Sequence, residues 1–323
     1  TRTLEGIAQC AEAGAGAVVL KSLFEEQFRL DEKSEGTGLY PEIMDYLQSG
    51  ALLDYAPRKV VEIIKEAKKQ FDLPLIASIN CQSKRGWVRF AQQLADAGGD
   101  ALELNMYTLP LDPEKSGDDY ERYYLEIIES VRQVTTLPLA VKIFHQITAL
   151  PHFVRRLGEA GAQAVVLFNW FLEPDFDLRT LTSRQRKGQA NFHLVLRWIG
   201  LLAQRVGCQL AASGGVRKAE DIIKLILAGA SAVQVCSLFY QQGLGVIKGL
   251  LEELSTWLSD HGWNSLAECQ GRLSFKEETL RVKGFGEAEV YLRGQYIRLY
   301  SCLLYTSDAA DEGLGVDLGG RRI

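Results

Sequence analysis

Short apolar runs, each announced by an Ala-Gly pair, recur along this chain. AGAGAVVLK from Ala13, AGGDALELN from Ala97, AGAQAVVLFN from Ala160 and AGASAVQVCS from Ala228 share one order: the pair, a short linker, then Val, Leu and Ala. The glycine supplies the left-handed backbone that ends a helix. The apolar run after it reads as a strand buried on both faces. Between these segments lie LPLIASIN from Leu73, LPLAVKIF from Leu137 and CQLAASGG from Cys208. In the first two, Pro opens the strand, where its missing N–H does least harm to the ladder. Gly14, Gly98, Gly161 and Gly229 stand 84, 63 and 68 residues apart, which is two strand–helix units per step. Buried parallel strands alternating with amphipathic helices leave an open doubly wound sheet or a closed barrel. The repeat favours the barrel. The expected fold is therefore an α/β chain, a (β/α)8 TIM barrel, with seven strands visible. Thr1–Ala13 reads as the helix that follows a missing first strand.

In such a barrel the chemistry sits at the C-terminal ends of the strands. Those ends are Lys21, Asn80, Asn105, Lys142, Asn169, Ser213-Gly214-Gly215 and Cys236-Ser237. A lysine inside an apolar run is costly without a partner. Lys21 and Lys142 together point to something anionic or acceptor-rich at the mouth, the alternative being side chains that reach out to solvent. Loops after the last two strands are the usual phosphate site of this fold, built from backbone N–H groups. Gly214-Gly215 and Cys236-Ser237 fall in those loops, which suggests a phosphorylated cofactor.

Composition narrows the class. The 323 residues carry a net charge of −5, with no basic surplus for nucleic acid or an anionic membrane. No apolar run is long enough for a membrane span, which takes about 18 residues. None of the six cysteines falls in a CxxC pair, so neither a zinc site nor an iron–sulfur cluster is suggested. Scattered cysteines fit a reducing cytoplasm.

The end of the chain changes character. CLLYTSDAADE from Cys302 resembles an in-frame translation of a transposon-based sequencing adaptor, and VDLGGRRI resembles the flow-cell primer that follows it. Residues 302–323 are accordingly expected to be a non-native, disordered tail, outside fold reasoning. The expected organisation is a barrel over 1–270, a C-terminal helical segment over 271–301, and that tail. A start at Thr1 fits a fragment of a gene.

VVLKS (Val18–Ser22), ELN (Glu103–Asn105), VK (Val141-Lys142), FN (Phe168-Asn169), SGG (Ser213–Gly215) and GASAVQVCS (Gly229–Ser237) occur in an order and spacing that resembles the dihydroorotate dehydrogenase family. The resemblance covers roughly Thr1 to Tyr300. It implies an FMN-binding barrel that oxidises dihydroorotate to orotate in pyrimidine synthesis. It implies that Lys142 contacts the electron-rich edge of the flavin ring, and that Lys21 lies against the flavin near the substrate. Asn80 and Ser213 would join the cofactor side, and the backbone at Gly214, Gly215, Cys236 and Ser237 would bind the phosphate. Asn105 and Asn169 would hold the substrate. A homodimer or a separate electron-transfer partner is compatible with it.

Two segments depart from the family pattern. After ELN the family carries a Ser or Cys base and an Asn. Here the run is Met106-Tyr107-Thr108-Leu109-Pro110, so Thr108 stands where the base should be and Pro110 replaces the Asn. A Thr hydroxyl is a poor base without a partner, and Tyr107 is a candidate proton relay. Between Ser22 and Pro57 the family's Asn-x-x-Gly segment has no match, and EEQFRLDEKSEGTG reads as a solvated surface loop. The cofactor half therefore looks intact and the substrate half altered. A flavin-binding protein with another small cyclic substrate, or with no catalysis of its own, is the alternative. A phosphosugar-binding barrel without flavin is a further one. His145, near the mouth, and buried Cys81 read as structural residues first and as candidate bases second.

Overall fold

The computed structural model describes residues 2–25, 58–170, 172–187 and 190–276. The compact unit Thr1–Ser274 carries the barrel, and Phe275–Ile323 forms a second unit. The helical segment and tail expected beyond residue 276 lie outside the described residues, as does the unmatched stretch 26–57.

Thr3 caps α1 (Leu4–Glu12) by accepting the Gly6 N–H at 3.2 Å. The strands and helices then alternate as the repeat requires. They are β1 (Val18–Val19), β2 (Leu23–Phe24), α2 (Arg58–Gln70), β3 (Leu75–Asn80), α3 (Lys84–Asp96), β4 (Ala101–Asn105), α4 (Gly117–Arg132), β5 (Leu139–Ile143), α5 (Leu150–Glu159) and β6 (Ala164–Leu167). A hairpin of β7 (Leu172–Asp177) and β8 (Thr182–Lys187) intervenes. After it come α6 (Phe192–Leu202), β9 (Gln209–Ser213), α7 (Ala219–Ala228), β10 (Ala232–Gln234), α8 (Ser237–Gln242), α9 (Val246–Asp260) and α10 (Leu266–Cys269).

All seven expected strands are present. They pair in parallel in the order β1-β3-β4-β5-β6-β9-β10, with β2 also on β3. The sheet curls as a barrel of the TIM type, and among the described residues no eighth strand joins β10 to β1. The four repeat glycines all take positive φ, between 86° and 120°. Pro74 and Pro138 stand immediately before β3 and β5, as the pattern predicts.

Strand register decides which residues meet inside. Partners across a parallel ladder share a face, and alternate residues take opposite faces. Ser78 pairs with Glu103, and Asn105 pairs with Lys142. Their neighbours Leu102, Leu104, Val141 and Ile143 are fully buried on the other face, under the helices. The outer layer is thus the hydrophobic core, with Phe90, Leu94, Ile127, Phe153 and Ile199 contributed by α3 to α6. The inner face carries the polar side chains of Ser78, Glu103, Asn105, Lys142 and Gln234 among smaller apolar ones such as Ala140, Val166 and Ala211.

Two features were not anticipated. Among the described side chains of the β7–β8 hairpin, Phe176, Leu178 and Leu181 are exposed and give no apolar periodicity. The hairpin is held by local chemistry, with Asp177 Oδ1 accepting the N–H groups of Arg179 and Thr180 at 2.9 and 3.1 Å. Glu25 corrects the reading of the charged run as solvated. It is only 2% exposed. Its carboxylate accepts the N–H groups of Gln82 and Ser83 at 2.7 and 2.9 Å and the Ser83 hydroxyl at 2.8 Å. Ser83 in turn caps α3. Amides at a helix start favour a negative partner, which is why an acidic residue goes inside here. Among the described residues no helix is long and apolar enough to cross a membrane.

Candidate active site

The polar inner face forms one connected set of hydrogen bonds at the C-terminal ends of the strands. Lys142 Nζ donates to Gln234 Oε1 at 3.1 Å, and Gln234 Nε2 donates to Glu103 Oε2 at 2.6 Å. From the other side, Ser78 Oγ donates to Glu103 Oε1 at 3.1 Å. The Ser22 and Ser78 hydroxyls are 2.7 Å apart, and Asn105 Nδ2 donates to Ser22 Oγ at 3.0 Å. Asn169 Nδ2 donates to Asn105 Oδ1 at 2.6 Å, and Asn169 Oδ1 accepts the Trp170 N–H at 3.1 Å. Asn80, buried, donates to the Asn105 carbonyl at 2.8 Å. The fold therefore unites Asn80, Asn105, Lys142 and Asn169, drawn from four strands or their ends.

Beside this set lies the Ser213-Gly214-Gly215 turn. Gly214 and Gly215 have φ of 111° and 79°. A Cβ on Gly214 would stand 2.2 Å from Trp170 Nε1, and one on Gly215 would stand 2.8 Å from Phe192 Cβ. Only glycine fits either position. The Ser213 carbonyl is occupied by the Phe168 N–H and by Trp170 Nε1, both at 3.2 Å. The N–H groups of Gly214, Gly215 and Cys236 make no hydrogen bond to the described residues. Cys236 and Ser237 are exposed at the start of α8. Amides without acceptors next to side-chain-free backbone fit a phosphate, and an ammonium on the same inner face fits an electron-rich ring that gains negative charge.

Thr108 and Tyr107 take a different place. They line an open cleft of about 610 Å³ with Asn80, Cys81, Tyr120 and Arg122. Lys142 and the glycine turn are absent from its walls, so Asn80 is the predicted residue common to the cleft and the network. Tyr107 is 43% exposed. Thr108 is half-buried and donates its N–H to the Tyr124 hydroxyl at 3.0 Å. Burial pushes the Tyr124 hydroxyl above its ordinary range, with the Thr108 N–H and the Thr108 hydroxyl partly opposing it. Tyr124 therefore stays protonated and holds the loop. Lys21 is half-buried in the β1–β2 connection, next to Ser22.

His145 follows β5 and packs against Phe144, Phe168 and Trp170, with ring centroids 4.6, 6.0 and 5.6 Å away. Its Nδ1 is buried with no hydrogen-bond partner among the described residues. Burial lowers its pKa below the usual imidazole value. Trp170 bridges this aromatic group and Gly214.

Sequence reasoning passed over Ser22, Ser78, Glu103, Gln234 and Tyr124. Glu103 and Gln234 carried the signal used for the lysines, a polar residue inside an apolar run. The two serines and Tyr124 carried none.

A curled parallel sheet with polar side chains and a glycine turn at the C-terminal ends of its strands defines an α/β barrel of the TIM type. The chain belongs to the dihydroorotate dehydrogenase family, whose model matches residues 53–258. It is similar to the dihydroorotate dehydrogenase B (NAD(+)) catalytic subunit of Bacillus cytotoxicus, 29% identical over 220 residues, covering 63% of this chain and 68% of that protein. The protein of the same description from Bacillus pumilus is 28% identical over 228 residues, covering 66% and 70%.

Proposed function

We propose that the chain is an FMN-dependent dehydrogenase acting on a CH–CH bond, with dihydroorotate or a related dihydropyrimidine as substrate. The observation that carries this reading is the connection of Lys142 to Asn105 and Asn169 in one hydrogen-bonded set beside the Gly214–Gly215 turn. When bound, FMN supplies the hydride acceptor. The N–H groups of Gly214, Gly215, Cys236 and Ser237 hold its phosphate, with Ser213 and Asn80 shaping the pocket. Lys142 places a cation where the reduced ring carries negative charge, and Lys21 lies toward the substrate. Asn105 and Asn169 present amide donors and acceptors to the substrate's carbonyl, amide and carboxylate groups. Thr108 would take the proton from the carbon next to the one that gives up hydride while its own hydroxyl proton passes to Tyr107 and on to the open cleft.

The relatives are named as catalytic subunits. This chain is accordingly proposed to pass electrons to a separate electron-transfer partner or to form a homodimer, in the cytoplasm. The Thr in place of the usual base favours one second reading, a flavin-binding protein without turnover on dihydroorotate. One experiment separates them. Purified protein is mixed with FMN, examined for a bound flavin spectrum, and titrated anaerobically with dihydroorotate. Bleaching supports the dehydrogenase. A bound flavin that does not bleach supports the second reading, and no bound flavin overturns both.

A further inference from the structure

The hydrogen bonds of the inner face have a direction. Lys142 can only donate, so Gln234 turns its oxygen to the lysine and its NH₂ to Glu103. On the other arm Asn169 donates to Asn105 and Asn105 to Ser22. Because Ser78 gives its proton to Glu103, Ser22 must donate to Ser78. Both arms therefore run donor to acceptor and end on the two oxygens of one carboxylate. Glu103 is 2% exposed and sits two residues before Asn105 on the same face of β4. The flavin-side and substrate-side groups are oriented from a single buried anion.

We propose that Glu103 is a positioning residue that sets both halves of the site: through Gln234 it fixes Lys142, and through Ser78 and Ser22 it fixes the amide orientation of Asn105 and Asn169. The reading rests on the flavin assignment made above. Its physical basis is that a carboxylate is acceptor-only. A glutamine at 103 would have to donate to one arm. Reversing the Gln234 arm would turn an NH₂ toward the Lys142 ammonium. Reversing the serine arm would make Ser78 the donor to Ser22 and free the Ser22 proton, so that Ser22 no longer requires an NH₂ from Asn105. The Gln234 arm cannot reverse without a donor–donor clash, and the serine arm reverses only by giving up its hold on the Asn105 amide orientation. Glu103 also places a negative charge near Lys142 and so weakens the cation's pull on a reduced, anionic flavin.

Three variants test this, each reconstituted with FMN and read for flavin midpoint potential and for affinity toward orotate, followed by the flavin spectrum. Glu103→Gln should raise the potential, favouring reduced over oxidised FMN by about tenfold or more, the scale of one unit charge at several ångströms in a protein interior. It should also weaken orotate binding. Gln234→Met cuts only the lysine arm and should shift the potential while leaving orotate affinity in place. Ser78→Ala cuts only the asparagine arm. It should weaken orotate binding by roughly two- to tenfold, the value of one neutral hydrogen bond, with the potential unchanged. An unchanged potential in Glu103→Gln overturns the proposal. So does an equal response of both readouts in Gln234→Met and Ser78→Ala, which is what loss of packing would give. Should Glu103→Gln fail to fold, the other two variants carry the test. A parent that holds no FMN refutes the flavin assignment itself. A parent that holds FMN but not orotate refutes the substrate alone, and the potential of Glu103→Gln then decides.

Discussion

Asn169 donates its side-chain amide to the Asn105 side-chain oxygen at 2.6 Å, although the two residues lie on different strand ends 64 positions apart. In the proposed function a substrate exchanges this bond for its own. Asn169→Ala should leave flavin content unchanged and weaken orotate binding by roughly tenfold, since it removes a donor and frees the Asn105 oxygen. Equal orotate affinity in parent and variant, measured by flavin-spectrum titration, would refute a substrate role for Asn169.

Thr108 is held by Tyr124 through both its backbone N–H and its side-chain hydroxyl, at the wall of the open cleft. Thr108→Ala should keep FMN and slow flavin reduction by dihydroorotate by roughly 10²–10⁴-fold, the usual worth of a general base. Thr108→Ser and Thr108→Cys should match or exceed the parent. Stopped-flow absorbance under anaerobic conditions checks this. If Thr108→Ala reduces flavin at the parental rate, the base is another residue, and Tyr107, Cys81 and His145 are next.

The glycine turn predicts a difference between two flavins. Gly214→Ala puts a Cβ into the Trp170 indole at a left-handed φ, a backbone strain of about 1–3 kcal/mol. The phosphate role proposed for the turn requires that the variant lose FMN affinity strongly and riboflavin affinity much less. Fluorescence titration with both ligands reads the ratio. Parallel losses would mean that the turn supports the ring instead.

His145 gives a pH dependence with a defined sign. Its folded pKa lies below the unfolded value because burial disfavours the charged ring. At mildly acid pH the unfolded chain therefore binds the extra proton, and stability falls as pH drops below about 6.5. His145→Phe keeps an aromatic ring against Phe168 and Trp170 and removes that proton uptake. The drop in Tm between about pH 7.5 and pH 5.5 should be smaller in the variant than in the parent. An identical drop would place the acid sensitivity elsewhere.

The sequence alone determined the strands, the helix-ending glycines and the barrel order. Each rests on local chemistry: an apolar run between Gly and Pro has few other ways to be buried, and Gly14, Gly98, Gly161 and Gly229 mark the same turn four times. It also singled out Lys142, Asn105, Asn169 and Gly214-Gly215, because a polar or side-chain-free residue at the end of a buried strand requires a reason. The β7–β8 hairpin stayed hidden, since its stabilising contacts are short-range side-chain bonds with no periodicity. Glu25 was read as solvated because a carboxylate's burial depends on amides 57 and 58 residues away. The tertiary structure alone decided that Glu103 collects both arms of the inner network. That assignment needs the stagger of β3, β4, β5 and β10 around the barrel, which brings Gln234 to a residue 131 positions earlier in the chain. Register between strands is set by packing of whole layers, and no single segment of sequence records it.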